Sequence, residues 1–158
     1  MRVLVNDPHV RIADPNVTQV ELAPLLAEAD FVVPLAVATA ETENLIDAAA
    51  FARMKPGAYF INASRGNLVD EAALFAALES RRIAGAALDV GRAPDQMPMP
   101  ALAARSDVIA TPHIAGLTPE AIEHQALETV AQAGELIAGR IPPGAINAAH
   151  ATRFAARR

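Results

Sequence analysis

Lys55-Pro56-Gly57-Ala58-Tyr59-Phe60-Ile61-Asn62-Ala63-Ser64-Arg65-Gly66 runs into Asn67-Leu68-Val69-Asp70-Glu71 and, after an Ala/Leu-rich interval, into Ala84-Gly85-Ala86-Ala87-Leu88-Asp89-Val90. This stretch decides the fold. The Pro-Gly turn hands over to an apolar run, Ala58–Asn62, which reads as a strand. Asp70 is placed to cap a helix that continues to Ser80 with Leu74, Ala77 and Leu78 inward. Ala84–Val90 is continuous in small apolar residues, the pattern of a strand covered on both faces. Two strands joined through a helix rather than a hairpin must lie parallel.

The same alternation extends outward in both directions. Upstream, Asp47–Met54 reads as a short helix capped by Asp47, and Phe31–Leu35 as a strand in which Pro34 removes a ladder donor. Gln19–Ala29 reads as a helix with Val20, Leu22, Leu25 and Leu26 near one face, and Arg2–Asn6 as a strand. Downstream, Gly91–Pro100 is irregular and carries Pro94, Pro98 and Pro100. A helical turn at Ala101–Arg105 and a strand at Val108–Thr111 follow. Thr118 caps the last helix, Pro119 occupies its first turn, and Ile122, Ala126, Val130, Ala133 and Ile137 repeat at helical spacing until Gly139. Ile141–Arg158 reads as a tail. Repeated strand–helix units predict an α/β fold built on a parallel, doubly wound sheet.

Composition narrows the function classes. At 158 residues, 53% of them hydrophobic, with a net charge of −5, the chain suits one domain with a real core. No apolar run reaches the roughly 18–20 residues of a membrane helix, and Asn6-Asp7 comes too early for a signal peptide. Zero cysteines exclude disulfides and thiol chemistry and suit a cytoplasmic setting. The excess of 18 Asp+Glu over 13 Lys+Arg, with no basic run and 4% aromatics, argues against nucleic acid as a partner. There is no HExxH and no histidine pair at i,i+4, so no metal site is read.

Doubly wound sheets bind ligands beyond the C-terminal ends of their strands. That rule selects Asp7, then Thr39 and Glu41, then Asn62 and Arg65, then Asp89, then His113. Together they form an acid/base and anion-binding set. Asp7 closes the first strand, where a carboxylate can accept from the ribose hydroxyls of a dinucleotide and repel a 2′-phosphate, favouring NAD over NADP; Arg11 lies nearby. Asp7-Pro8 can equally be a turn cap. Arg65 sits between a strand end and a glycine, placed either to grip an anion with two prongs or to pair on the surface with Asp70 or Glu71. Of the four histidines only His113 falls at a strand exit, as an acid/base or as a structural residue.

These residues resemble the D-isomer-specific 2-hydroxyacid dehydrogenase family. The resemblance runs from Asp7 to about Gly139 and rests on Met54-Lys55-Pro56-Gly57-Ala58 with Ile61–Gly66 and Val69-Asp70-Glu71, on Gly85-Ala86-Ala87-Leu88-Asp89-Val90, and on Thr111-Pro112-His113-Ile114-Ala115-Gly116. It implies hydride transfer between NAD(H) and a small 2-keto or 2-hydroxy acid. Arg65 is then the residue on the substrate carboxylate and keto oxygen, and His113 the proton donor or acceptor. Asp89 matches the carboxylate on the nicotinamide carboxamide and Asp7 the one on the ribose. Thr39, Ala63, Ser64, His113 and Gly116 fall along the cofactor. Residues 1–140 are expected to be a partial dinucleotide-binding domain and 141–158 a tail.

Two departures follow. The family's glutamate five residues after Asp89 is Pro94 here, and Asp95 is expected to pair with His113 in its place. The glycine turn GxGxxG that cradles a diphosphate is absent, since the first glycine is Gly57, and Met1 aligns just before the second strand of the family's cofactor domain. In a sheet of order 3-2-1-4-5-6 the missing first strand lies in the middle. Arg2–Asn6 then loses a neighbour, and an apolar edge opens on the Ala58–Asn62 side. The chain is therefore expected to be a piece of a longer protein that alone self-associates, closes the gap with two of its strands, or is unstable. It is read as a dehydrogenase portion that works as a homo-oligomer. The alternative is a catalytically silent module that binds a protein partner through the exposed edge; a methyltransferase-like domain leaves the Arg65 and His113 motifs unexplained.

Overall fold

The computed structural model describes residues 1–145, so most of the expected tail lies outside the described residues. The chain forms two compact units, Met1–Ala115 and the part from Gly116 onward. In the first, β1 (Val3–Val5), β2 (Val17–Gln19), α1 (Leu22–Glu28), β3 (Phe31–Val32), α2 (Ala48–Arg53), β4 (Tyr59–Asn62), α3 (Glu71–Glu79), β5 (Gly85–Leu88), α4 (Pro100–Ala103) and β6 (Val108–Ala110) follow in order. The second holds α5 (Pro119–Ile137).

All strand pairs are parallel, but the strands fall into two sheets. β1 pairs only with β2, and the other four lie in the order β3-β4-β5-β6. The sheet is thus broken between β1 and β3, where an order of 3-2-1-4 has its first strand. Among the described residues no strand crosses the break to close it. The open edge is carried by β3, which stands between the break and β4.

Register explains the core. Val32, Phe60, Ala86 and Val108 are neighbours across the four strands, and all are buried. They pack with Leu26 of α1, Phe51 of α2 and Leu74 and Leu78 of α3 in one cluster, with the Phe51 ring edge-on to Phe60 at 5.3 Å. On the other face the neighbours are Phe31, Tyr59, Ile61, Ala87 and Ile109, which line an open groove of about 590 Å³. Phe31 and Tyr59 stack there at 5.6 Å. Covering of both faces, expected from Ala84–Val90, therefore holds on one side only: β5 is buried mainly by helices α1–α3, while Ile109 is 71% exposed.

The helix caps are those the side chains dictate. Asp47 accepts the Ala50 N–H, Asp70 accepts those of Ala72 and Ala73, and Thr118 accepts that of Ala121. α5 ends before Gly139, which takes a φ of +73°. Two boundaries move by three residues, the start of the first helix and the end of the strand at Phe31. Gln19 belongs to β2, not to a helix, because the β-branched pair Val17-Thr18 lies alongside Val3-Leu4. β3 stops at Val32 rather than Leu35, since Pro34 has no N–H to give the ladder.

Candidate active site

The exits of β3 to β6 are hydrogen-bonded into one rim. The Ser64 hydroxyl donates to the Ala36 carbonyl, the Asp89 N–H to the Asn62 carbonyl, and the Thr111 N–H to the Leu88 carbonyl. Asn62, Arg65, Asp89 and His113 therefore lie along one edge, as the strand-end rule requires.

Arg65 is held by its turn. The buried Asn62 amide donates to the Arg65 carbonyl at 2.9 Å while its oxygen accepts the Ser64 N–H at 3.0 Å. The guanidinium is exposed and donates to the Ser64 carbonyl at 2.7 Å. Among the described residues it has no carboxylate within ion-pair distance. Asp70 is occupied as a cap, and Glu71 accepts the Arg92 N–H, so the surface-pair reading is not realised.

His113 has a φ of +54°, a left-handed conformation that histidine tolerates better than most side chains. That reversal turns the Ile114 and Ala115 N–H groups onto the Asp89 carboxylate, each at 2.9 Å, and the Thr111 hydroxyl adds a third bond at 2.5 Å. Successive amides in such a turn make a concave anion site. Burial pushes the Asp89 carboxyl up, but the Thr111 hydroxyl, the Ala115 and Ile114 amides and the His113 ring outweigh it, so its pKa lies below the ordinary value. Of the roughly four lone-pair positions of a carboxylate, one remains for an outside N–H donor.

Because that pKa is lowered on folding, the contribution is complete above the unfolded value of 3.8 and disappears as pH falls through the folded one. In an acid titration followed by amide NMR shifts, Ile114 and Ala115 are expected to move together with a midpoint below 3.8. Asp89→Asn removes that transition.

The expected Asp95–His113 pair is not formed. The exposed Asp95 accepts the Met97 N–H two residues on, closing its own loop, and no ion pair links it to His113 among the described residues. A proline at 94 places this carboxylate one step later than the family's glutamate, where the turn uses it. Asp7 fulfils one of its two readings and leaves room for the other. One oxygen accepts the His9 and Val10 N–H groups, the second has no partner among the described residues, and the side chain lines a cleft of about 390 Å³ with Asn6, Gln19 and Glu21. Thr39 and Thr42 bond each other in an exposed turn, Ala63 is exposed beside Ser64, and Gly116 lies in the second unit.

Two residues went unread in the sequence. Gln19 donates to the Asp7 and Val10 carbonyls and accepts the Ile12 N–H, so it shapes the loop that carries Asp7. Arg92 pairs with Glu43 at 2.8 Å and donates to the Asn44 side chain and the Val69 and Asn67 carbonyls, fastening three loops of the rim. The Arg92 hydrogen bond in turn holds Glu43 below the usual carboxylate range. Neither residue carries a local signal, because each partner set is distant in sequence.

Sheet order, helix placement and the polar strand exits define an incomplete Rossmann-like α/β domain. The family described as D-isomer specific 2-hydroxyacid dehydrogenase, NAD binding domain, matches residues 1–115, and the chain belongs to it. It is 44% identical over 137 residues to (S)-sulfolactate dehydrogenase of Chromohalobacter salexigens, covering 82% of this chain and 43% of that one. It is 39% identical over 150 residues to D-3-phosphoglycerate dehydrogenase of Synechocystis sp., covering 93% and 27%. The crystal structure of D-lactate dehydrogenase with NAD+ from Lactobacillus jensenii superimposes with a TM-score of 0.78 at 33% identity, over 90% of this chain and 47% of that one. The chain thus spans less than half the length of these relatives. No helix among the described residues is long and apolar enough to cross a membrane.

Proposed function

We propose that these residues form the cofactor side of an NAD-dependent dehydrogenase acting on a small 2-keto or 2-hydroxy acid. The observation that carries the proposal is the rim, on which an arginine with no carboxylate partner among the described residues and a histidine at the next strand exit but one share a hydrogen-bonded edge with a buried, ionised Asp89.

The residues fit a dinucleotide at two points. Asp7 offers a free carboxylate oxygen in its cleft to ribose hydroxyls, and its charge disfavours a 2′-phosphate. Asp89 offers its remaining acceptor position to a carboxamide N–H. A glycine cradle for the diphosphate is not among residues 1–56, which contain no glycine. NAD, when bound, supplies or takes up the hydride. Arg65 holds the substrate carboxylate with its two-pronged donor and polarises the keto oxygen. His113 gives its proton to the forming alkoxide oxygen in reduction and takes the hydroxyl proton in oxidation.

The cysteine-free, acidic composition supports a cytoplasmic setting, and symmetric self-association, the common form of soluble assembly, makes a homo-oligomer our working assembly. The test is consumption of NADH with glyoxylate, hydroxypyruvate and pyruvate by the protein that carries these residues. Turnover that is lost in Arg65→Ala supports the reading. Turnover unchanged in that variant, or NADH consumed without a keto acid, overturns it.

A further inference from the structure

The loops that leave β3, β4 and β5 meet at one side chain that the proposed chemistry does not use. Gly91 lies in the loop after β5 and meets the Arg65 turn through backbone alone, since a Cβ on Gly66 would fall 2.2 Å from the Gly91 carbonyl oxygen. Gly91 itself has no room for a side chain, with the Met97 carbonyl oxygen 2.5 Å from where its Cβ would stand. The next residue, Arg92, donates its N–H to the Glu71 carboxylate at 3.1 Å, which fixes its backbone beside the turn. From there its Nε donates to the Val69 carbonyl and one terminal nitrogen to the Asn67 carbonyl, both at 2.9 Å. The same nitrogen donates to the Asn44 side chain at 2.5 Å, and the other pairs with Glu43 at 2.8 Å.

Arg65 needs such a support. Upstream, the Asn62 amide holds its carbonyl. Downstream lies a single 3₁₀ turn, Gly66–Leu68, closed by the Leu68 N–H on the Arg65 carbonyl at 3.4 Å and the Val69 N–H on the Gly66 carbonyl at 3.1 Å. Turns of this kind have poor hydrogen-bond geometry. The Arg92 guanidinium grips the carbonyl of a residue within the turn and of the one that ends it, with charge-assisted bonds about twice as strong as neutral ones. We infer that Arg92 is a positioning residue for Arg65, fixing the turn from which Arg65 reaches the substrate carboxylate. It acts through that turn rather than on the substrate, because its Nε–H and both N–H groups of one terminal nitrogen are spent on protein acceptors. A lysine cannot replace it, since a compact ammonium lacks the planar fork that spans two carbonyls. The loop 39–46, by contrast, keeps backbone bonds to the turn without Arg92, from the Asn44 N–H to the Asn67 carbonyl and from the Ile46 N–H to the Leu68 carbonyl. The inference rests on the dehydrogenase reading proposed above.

The test is steady-state kinetics of the protein that carries these residues, with NADH and whichever of glyoxylate, hydroxypyruvate and pyruvate it reduces. Arg92→Met keeps the apolar stem and removes the donors. It is expected to raise KM for the keto acid about tenfold and to lower kcat, because a group misplaced by about 1 Å costs up to about 10²-fold. KM for NADH is expected to stay within about twofold, since the loop 39–46 keeps its backbone bonds. Arg92→Lys keeps the charge opposite Glu43 and is expected to show the same raised keto-acid KM. Hydrogen exchange gives a reading independent of turnover: the Leu68 and Val69 amides should exchange faster in both variants, with those of β4 and α3 unchanged. A keto-acid KM that does not move, or a KM that rises alike for both substrates, overturns the inference and leaves the dehydrogenase reading intact. Full recovery in Arg92→Lys does the same, as does unchanged exchange at Leu68 and Val69. Loss of the fold in both variants also overturns it, because Arg92 then holds the domain rather than the turn. A wild-type protein inert toward every keto acid overturns the dehydrogenase reading and this inference with it.

Discussion

Under the proposed function, His113→Asn is expected to lower kcat/KM for keto-acid reduction by about 10²–10⁴-fold, the usual contribution of a positioned general acid. Asparagine is the informative replacement because it too accepts the left-handed backbone, here a φ of +54°. The turn should therefore keep the Ile114 and Ala115 amides on Asp89, and their NMR shifts should stay near wild type. The loss then reports the missing proton rather than a collapsed rim. The limb of the pH–rate profile that belongs to the imidazole should vanish as well. Activity within a few fold of wild type, with an unchanged profile, would show that another group moves the proton.

Gly66→Ala is expected to destabilise the protein by about 3 kcal/mol, at the upper end of overpacking costs. A Cβ at Gly66 would stand 2.2 Å from the Gly91 carbonyl oxygen and 2.3 Å from its carbon. Both are backbone atoms, so no side chain can swing aside. The two turns must separate, and with them the Arg65 turn and the Gly91–Met97 loop. In urea denaturation the midpoint should fall sharply, whereas Gly134→Ala in α5, where no atom lies within 4 Å of the new methyl, should raise stability by about 1 kcal/mol. An unshifted midpoint for Gly66→Ala would mean that the close approach of the two turns does not exist in solution.

The strands and helices whose signals are local were legible in the sequence. Asp70 and Thr118 cap the helices their positions announce, and the apolar runs at 59–62 and 85–88 are strands. The placement of Asn62, Arg65, Asp89 and His113 followed from strand ends alone, because a parallel sheet brings all such ends to one edge. What escaped depends on contacts between distant segments. β2 is three residues long and exists only through its register with β1. The grip on Asp89 depends on one backbone angle at His113, and the Arg92 clamp spans separations of 21 to 49 residues. Asp95 failed as a partner because its own turn offered a nearer donor at Met97.

The stacked pair of Phe31 and Tyr59 has a practical corollary. The chain has one tyrosine and no tryptophan, so its tyrosine emission arises at a single ring. That ring lies on β4, one strand from the vacant edge, against a phenyl group 5.6 Å away on the edge strand itself. The protein thus carries its own optical gauge of whether that margin is intact, and no label need be introduced to follow it.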